Sequence, residues 1–338
     1  MCFNREMTNL TRFEADRVWL APMSGSTDAA FRRQVVKFGC PAVVSEMVAS
    51  DALTANRPDV VRRTCRHEGK GDWIVQLAAR RPEHMMGASQ RLVELGVDVI
   101  DINMGCPSRQ VTGGRSGSAL MREPALALEI IDAALAGAGR QPVTLKMRLG
   151  WDHDLLNAPE IAQAAVARGV RMITVHGRTR CQFYKGEADW RRIKDTVDAV
   201  DVPVIANGDI GSLMDAETAL EQSGAHGVMV GRSAMGRAWL PAQIKAHLEG
   251  RHFDTPSIAA QCESLVEQVT DSVDLYGERL GVRMVRKHIS SAIDHLDMDL
   301  PDLEKRELRA QLCQIDAAET LIGALRRVYS NQVHEMAA

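Results

Sequence analysis

The sequence predicts an α/β chain: a (β/α)8 barrel of eight strand-then-helix units, followed by a small C-terminal helical bundle. Three observations predict it. From about Arg17 to Gly231, a short apolar run, a polar or glycine-bearing end and a helix-like stretch recur in turn. The runs are short and rich in Val and Ile, as parallel strands buried on both faces are. Beyond Pro241 the alternation stops, and Leu and Val recur only at helical steps. Eight units over roughly 230 residues match the size of a TIM barrel. A doubly wound sheet is the competitor, but no reversal of strand order is signalled.

Strands are expected at Val18–Met23, Ala42–Met47, Trp73–Leu77, Val99–Asn103, Val143–Met147, Met172–His176, Val202–Asn207 and Gly227–Gly231. Between them, Pro82 opens a helix that Gly96 closes, using the fixed φ of proline and the left-handed tolerance of glycine. Asn157 with Glu160 reads as a capping pair, and Gly169 ends that helix. Ser212 with Asp215 opens the next, which ends near Gly224. Gln243–Leu248 completes the barrel, and Arg251–Pro256 reads as a linker. Four helices are then expected, Ser257–Tyr276, Arg279–His295, Leu303–Ile315 and Ala317–Tyr329, with Gly277 and Pro301 as breakers. The predicted division is residues 1–250 for the barrel and 251–338 for the helical domain.

The 338 residues are 45% apolar and 25% charged, which suits a globular enzyme with a sizeable core. No apolar run is long enough to span a bilayer, and Met1–Arg17 lacks the apolar stretch of a leader, so no membrane anchor is expected. Seven cysteines, Cys2, Cys40, Cys65, Cys106, Cys181, Cys262 and Cys313, are scattered without a CxxC pair. That reads as free thiols in a reducing cytoplasm, with no metal site. A net charge of −3 leaves any nucleic-acid contact to a local basic patch.

Barrel active sites lie at the C-terminal strand ends. Here those ends carry Pro22 and Met23, Glu46, Gln76, Asn103, Lys146 with Arg148, His176, Asn207-Gly208-Asp209, and Gly231-Arg232. The last two loops are where barrels commonly grip phosphate, with glycines letting the backbone approach and Arg232 adding charge. A phosphate-bearing ligand there is either substrate or FMN. Gln76 has the donor and acceptor a flavin edge needs, Lys146 the cation for an anionic reduced ring, and Pro22 and Met23 an apolar floor.

Several motifs are long and specific. APMSGSTDAAFR (Ala21–Arg32), DINMGCPSRQVTGGRSGSALM (Asp101–Met121), VTLKMRLGW (Val143–Trp151), ITVHGRTRCQFYKGEADW (Ile173–Trp190), VIANGDI and VMVGR together resemble the tRNA-dihydrouridine synthases, nearest to the bacterial B-type branch. The resemblance covers the whole barrel in order. It implies FMN in the barrel mouth, re-reduced by NADPH, hydride transfer to C6 of a uracil in tRNA, and protonation of C5 by a cysteine matching Cys106. It further implies that Asn103 contacts the uracil and that Lys146 lies against the flavin. Arg148 is placed at the substrate by the same likeness, and His176 at flavin and base. Pro22, Met23, Ser24, Gln76, Asn207, Gly208, Asp209, Gly231 and Arg232 match flavin-binding stretches. From the residues up, a thiol of ordinary pKa, about 8.5, is mostly protonated at neutral pH and so serves as a general acid. Its segment, with Gly113, Gly114 and Gly117, reads as a lid.

In the tail the second helix is the basic one, with Arg279, Arg283, Arg286 and Lys287. Arg283 and Arg286–Lys287 fall on neighbouring faces suited to phosphates, and the resemblance implies that this domain grips tRNA. Acidic residues dominate elsewhere in the tail, including Asp294, Asp297, Asp299 and Asp302, which helps explain a positive patch inside an overall acidic protein. The family's aromatic pair after Arg-Lys-His is replaced here by Ile289-Ser290-Ser291, which puts position specificity in doubt. Two other readings stand beside the first: a flavin barrel that reduces a free pyrimidine-like molecule, and a non-catalytic RNA-binding protein.

Overall fold

The computed structural model describes residue 13 and residues 15–113, 115–296 and 301–336. The readings at Cys2, Gly114, Asp297 and Asp299 lie outside the described residues. Eight parallel strands form one sheet: β1 Val18–Leu20, β2 Val48–Ala49, β3 Ile74–Ala78, β4 Val99–Met104, β5 Val143–Arg148, β6 Ile173–His176, β7 Val204–Asn207 and β8 Gly227–Val230. From β2 to β8 each pairs with the next, and β8 pairs with β1.

Between β1 and β3 the run at residues 42–44 pairs by single bridges: Leu20 of β1 bridges Val43, and Val44 bridges Ile74 of β3. The predicted run Ala42–Met47 is therefore split, and regular pairing begins only at Val48. The cause is local: the Gln76 amide is caught by the Ser45 hydroxyl at 3.1 Å rather than by a strand carbonyl.

Barrel helices follow the strands: α1 Ala29–Lys37, α2 Ser50–Thr54, α3 Pro82–Glu94, α4 Pro124–Ala138, α5 Ala158–Arg168, α6 Lys194–Ala199, α7 Leu213–Ser223 and α8 Leu240–Leu248. Pro82 sits in the first turn of α3, and Gly169 and Gly224 close α5 and α7 in the left-handed conformation. Ser212 caps α7 by accepting from Asp215 N. Asn157 precedes α5 without capping it. Its amide donates instead to Met121 O at 2.8 Å, so the predicted capping pair is replaced by a brace on the segment after β4.

Alternation along each strand builds two cores. Val75, Leu77, Ile100, Ile102, Leu145, Met147, Ile173, Val175 and Val204 point outward and pack with the helices. Trp19, Ile74, Val99, Met172, Ile205 and Met229 point inward and fill the lower barrel. Moving up the same inward rows, the residues become polar: Gln76, Asp101, Asn103, Thr144, Lys146, Thr174 and Asn207, all buried. Period-two geometry thus turns eight mostly apolar strands into a lumen that is dry below and polar above.

Four further helices, α9 Ile258–Tyr276, α10 Glu278–His295, α11 Asp302–Gln314 and α12 Ala318–Met336, share an apolar core of Val269, Val285, Ile289, Ile293, Leu321, Leu325 and Tyr329. They meet the barrel through α9 and α10, which pack against α1 and the loop before it. Arg33 pairs with Asp271 at 2.5 Å, and Lys37 with Glu267 at 2.6 Å. The His288 ring lies against Phe31 with centroids 4.4 Å apart, its Nε2 3.2 Å from Ser26 O. After His288, Ile289 is fully buried and Ser291 donates to Met235 O at 2.8 Å. Gly236 faces the same turn so closely that a Cβ on it would lie 2.3 Å from Ala292 N. Small residues here let the helix approach the loop after β8.

Candidate active site at the barrel mouth

Cys106 stands two residues beyond β4 and is held from both sides. Its N–H donates to Asn103 Oδ1 at 3.0 Å, and its carbonyl accepts from Ser118 N at 3.1 Å and Ser118 Oγ at 2.8 Å. Gly117, at φ +59°, lies against it: a Cβ there would be 2.9 Å from Cys106 O and 2.8 Å from the Val111 side chain. The glycine is thus required by both backbone conformation and close packing. Burial pushes the Cys106 thiol up, only partly offset by a backbone bond at Ser108 and by Arg148 and Lys146. Burial thus favours the neutral S–H over the thiolate.

Asn103 is tied in turn to Gln76, donating from Nδ2 to Gln76 Oε1 at 2.7 Å. Gln76 Nε2 donates to Asp101 Oδ2 at 2.7 Å, and Thr144 Oγ1 to Asp101 Oδ1 at 2.6 Å. Burial raises the Asp101 carboxyl above its ordinary range, against the Thr144 and Gln76 bonds and the Lys146 charge. Lys146 reaches across the mouth, with Nζ 2.8 Å from Asn207 Oδ1, while Asn207 Nδ2 donates to Met229 O at 2.7 Å. Burial and the nearby Arg148 bring the ammonium down to about 8. It remains mostly charged at neutral pH, hydrogen-bonded to a neutral amide, and so is poised for an anionic partner.

Arg148 is buried at the end of β5. Its Nε donates to Gly105 O at 2.8 Å, and its Nη1 to Thr179 O at 2.8 Å and Phe183 O at 2.9 Å. These bonds make it a clamp between the Cys106 segment and the loop after β6. His176 is kept neutral by burial and four surrounding arginine and lysine charges, far below its ordinary pKa. Arg178 Nη1 approaches its Nε2 at 3.4 Å, so that nitrogen accepts and Nδ1 carries the proton. Gly208, at φ +113°, lies under this ring, where a Cβ would be 2.7 Å from His176 Cδ2.

Asp209 forms a bidentate pair with buried Arg178, at 2.9 Å and 2.6 Å, and accepts from Ala188 N at 2.8 Å. The exposed Arg232 lies 4.0 Å from the same carboxylate and 5.4 Å from the Tyr184 ring. Around Gly231 the protein leaves room: a Cβ would meet only Met23 Sδ at 3.9 Å and Ala21 Cβ at 4.0 Å. Met23 packs against the lumen core, Pro22 is partly buried and Ser24 is exposed. Glu46 is buried and accepts from Gly25 N.

The mouth therefore joins Gln76, Asn103 and Cys106 in one network, Lys146 and Asn207 in a second, and His176, Gly208 and Asp209 in a third. The predicted basic face does not stay together. Arg286 turns into the bundle, its Nη2 2.6 Å from Asp316 Oδ1 and 3.3 Å from Ile315 O. Arg283 and Lys287, one turn apart, remain exposed with Arg279 on α10. Lys287 Nζ lies 3.1 Å from the position of a Cβ on Gly25, beside Ser24 in the loop after β1. Sequence reasoning missed Asp101, Thr144, Ser118 and Arg178. Asp101 had a readable signal, since a residue two before Asn103 in a strand shares its face.

A lumen polar only at its C-terminal end, with a neutral thiol, a buried lysine and glycine-lined loops converging there, defines a TIM-barrel enzyme. The dihydrouridine synthase (Dus) family model matches residues 19–331, and the chain belongs to that family. A probable tRNA-dihydrouridine synthase of Rhodobacter capsulatus is 50% identical over 274 residues, 80% of this chain and 84% of that protein. The tRNA-dihydrouridine synthase B of Pseudomonas aeruginosa is 38% identical over 319 residues, 94% of each chain. Among solved structures, a complex of 2-naphthoyl-CoA reductase superposes with a TM-score of 0.52 at 12% identity, covering 70% of this chain and 50% of the other. That likeness concerns the fold.

Proposed function

We propose that the protein reduces uridine to 5,6-dihydrouridine in tRNA, in the D-loop, with FMN in the barrel mouth and NADPH as reductant. The observation that carries this reading is the neutral Cys106 thiol, held by Asn103 and Ser118 within a mouth that also contains the buried Lys146 cation. Family membership supports the same reaction. The mouth suits FMN chemically: Lys146 is a cation without a hydrogen-bonded carboxylate, and Gln76 keeps one amide N–H beyond those given to its neighbours. The space above Gly231, which no protein side chain demands, suits close approach of a phosphate-bearing group. Pro22, Met23, Ser24, Gln76, Lys146, His176, Asn207, Gly208, Asp209, Gly231 and Arg232 are the residues proposed to hold it. When bound, the flavin supplies the hydride for C6 of the base.

The chain's own residues do the rest. Addition at C6 builds enolate character on the uracil, and the Cys106 S–H gives its proton to C5, leaving a thiolate that solvent reprotonates. Asn103 and the neighbourhood of Arg148 receive the base, and closure of the Cys106 segment excludes water. Residues 1–250 form the catalytic part. Residues 251–338 are proposed to hold tRNA, with Arg283 and Lys287 facing phosphates and Arg286 bracing the bundle.

The test is incubation of the purified protein with NADPH and unmodified tRNA, followed by mapping of dihydrouridine by position. Product within the D-loop supports the reading. Reduction of free uracil without RNA, and none in tRNA, would replace it with the small-molecule alternative.

A further inference from the structure

One well-connected group in the mouth has no part in the proposed chemistry. Asp101 sits inside the barrel on β4, with Gln76 opposite it on β3 and Thr144 opposite it on β5 in register. It is only 3% exposed. Both of its carboxyl oxygens accept, Oδ1 from Thr144 Oγ1 and Oδ2 from Gln76 Nε2, and a carboxyl so engaged offers Gln76 no donor. Whichever amide end Gln76 turns toward it must therefore be Nε2, which forces Oε1 toward Asn103. Asn103 must then answer with Nδ2, and its Oδ1 is left facing the Cys106 segment. The distances along this path are 2.7 Å, 2.7 Å and 3.0 Å, the last ending on Cys106 N. Gly105 N also approaches the same Asn103 oxygen at 3.3 Å. Reversing either amide would set two acceptors or two donors face to face in a buried site, where an unmade hydrogen bond is costly.

We propose that Asp101, anchored by Thr144, is a positioning residue that sets the polarity of the Gln76–Asn103 relay and so fixes the Cys106 segment for proton delivery. The inference deepens the reading of Cys106 as the acid and rests on it. The relay also leaves Gln76 with one free N–H to offer a ligand. Asp101 acts through other residues and touches no reacting atom.

Two substitutions separate polarity from bulk. In Asp101→Asn, the side-chain oxygen still accepts from Gln76 while its amide donates to the Thr144 hydroxyl, which turns to accept. Asp101→Leu has the size without the acceptor. Two readouts are taken on the flavin-loaded protein: single-turnover dihydrouridine formation from pre-reduced enzyme, and the rate of Cys106 alkylation by iodoacetamide, resolved by peptide mass mapping. For the leucine variant we expect formation to fall about 10- to 100-fold and alkylation to change several-fold as the segment loosens. The asparagine variant should stay within about threefold of wild type in both, rescuing the relay. Should Asp101→Leu fail to retain flavin, the double variant Asp101→Asn/Thr144→Val takes its place. It keeps volume but removes the group that orients the new amide, and it should fall where Asp101→Asn does not. A non-polar variant equal to wild type in both readouts overturns the proposal, and so does an asparagine variant as impaired as leucine. Because alkylation reads the segment without any turnover, a fully active Cys106→Ala would refute the acid assignment separately.

Discussion

Lys146 is held in an environment far from its solution state. It is buried, is drawn down to about 8 by that burial, and has only an amide oxygen as hydrogen-bond partner. Such an arrangement is stable mainly when an anion completes it. Lys146→Ala should therefore lower flavin content or slow its reduction by NADPH about tenfold or more, read from flavin absorbance and stopped-flow bleaching. Unchanged values would remove Lys146 from the cofactor site. Gly208 makes a second point at this scale. With φ +113° and His176 Cδ2 2.7 Å from a would-be Cβ, Gly208→Ala has nowhere to go without moving the ring. We expect a loss of about 1–3 kcal/mol in urea unfolding, together with weaker flavin retention. Both residues were legible in the sequence because each ends a strand. Their partners were not: nothing in the spacing joins Lys146 to Asn207, which are brought together only by the curvature of the barrel.

Among elements, the strands were read more accurately than the loops above them. Six-residue runs with apolar neighbours and polar alternates at their ends, as in β4 and β5, define both faces at once. The second strand was misread because Ser45 takes the place of a ladder carbonyl, a side-chain event that composition does not show. Asn157 was read as a cap from local spacing, yet its amide spans 36 positions to Met121. Arg178 was missed for a similar reason. It carries the loop after β6 on a bidentate bond to Asp209, 31 positions away, and its side chain is only 3% exposed. Asp209→Asn would leave that guanidinium buried and under-paired. Because the carboxylate is partly exposed, a loss of about 3 kcal/mol is expected, measured by denaturant unfolding. A loss below about 0.5 kcal/mol would show the pair to be solvent-screened.

At the scale of the whole molecule, the catalytic barrel and the helical bundle meet at His288, Gly236 and the α1 ion pairs. Burial, with the neighbouring Lys287 charge, lowers His288 to about 3, so it stays neutral in the fold but takes a proton once unfolded below its ordinary 6.5. The unfolded chain then binds more protons, and stability falls as pH drops from 6.5 toward 3, by about 2 kcal/mol at pH 5 from this group. His288→Gln should flatten that part of the stability-versus-pH curve, and an unchanged slope would show that His288 does not set it. The exposed stripe on α10 is proposed to govern a different property, tRNA binding. Replacing Arg283 and Lys287 with Ala should reduce the salt slope of tRNA binding by about 1 for each phosphate no longer neutralised, whereas Arg286→Ala should act on stability instead. A basic helix was legible in the sequence. Its division into two outward charges and one inward brace was not, because Asp316 lies on a different segment.

All of these parts converge on the proton that Cys106 is proposed to deliver. The most direct measurement mixes Cys106→Ala enzyme, its flavin reduced beforehand by NADPH, with unmodified tRNA, and follows flavin reoxidation and dihydrouridine in a single turnover. The proposed mechanism predicts normal flavin loading and normal reduction by NADPH, with dihydrouridine formation slowed by at least about 100-fold. Formation at the wild-type rate would contradict it and leave the reaction without its acid.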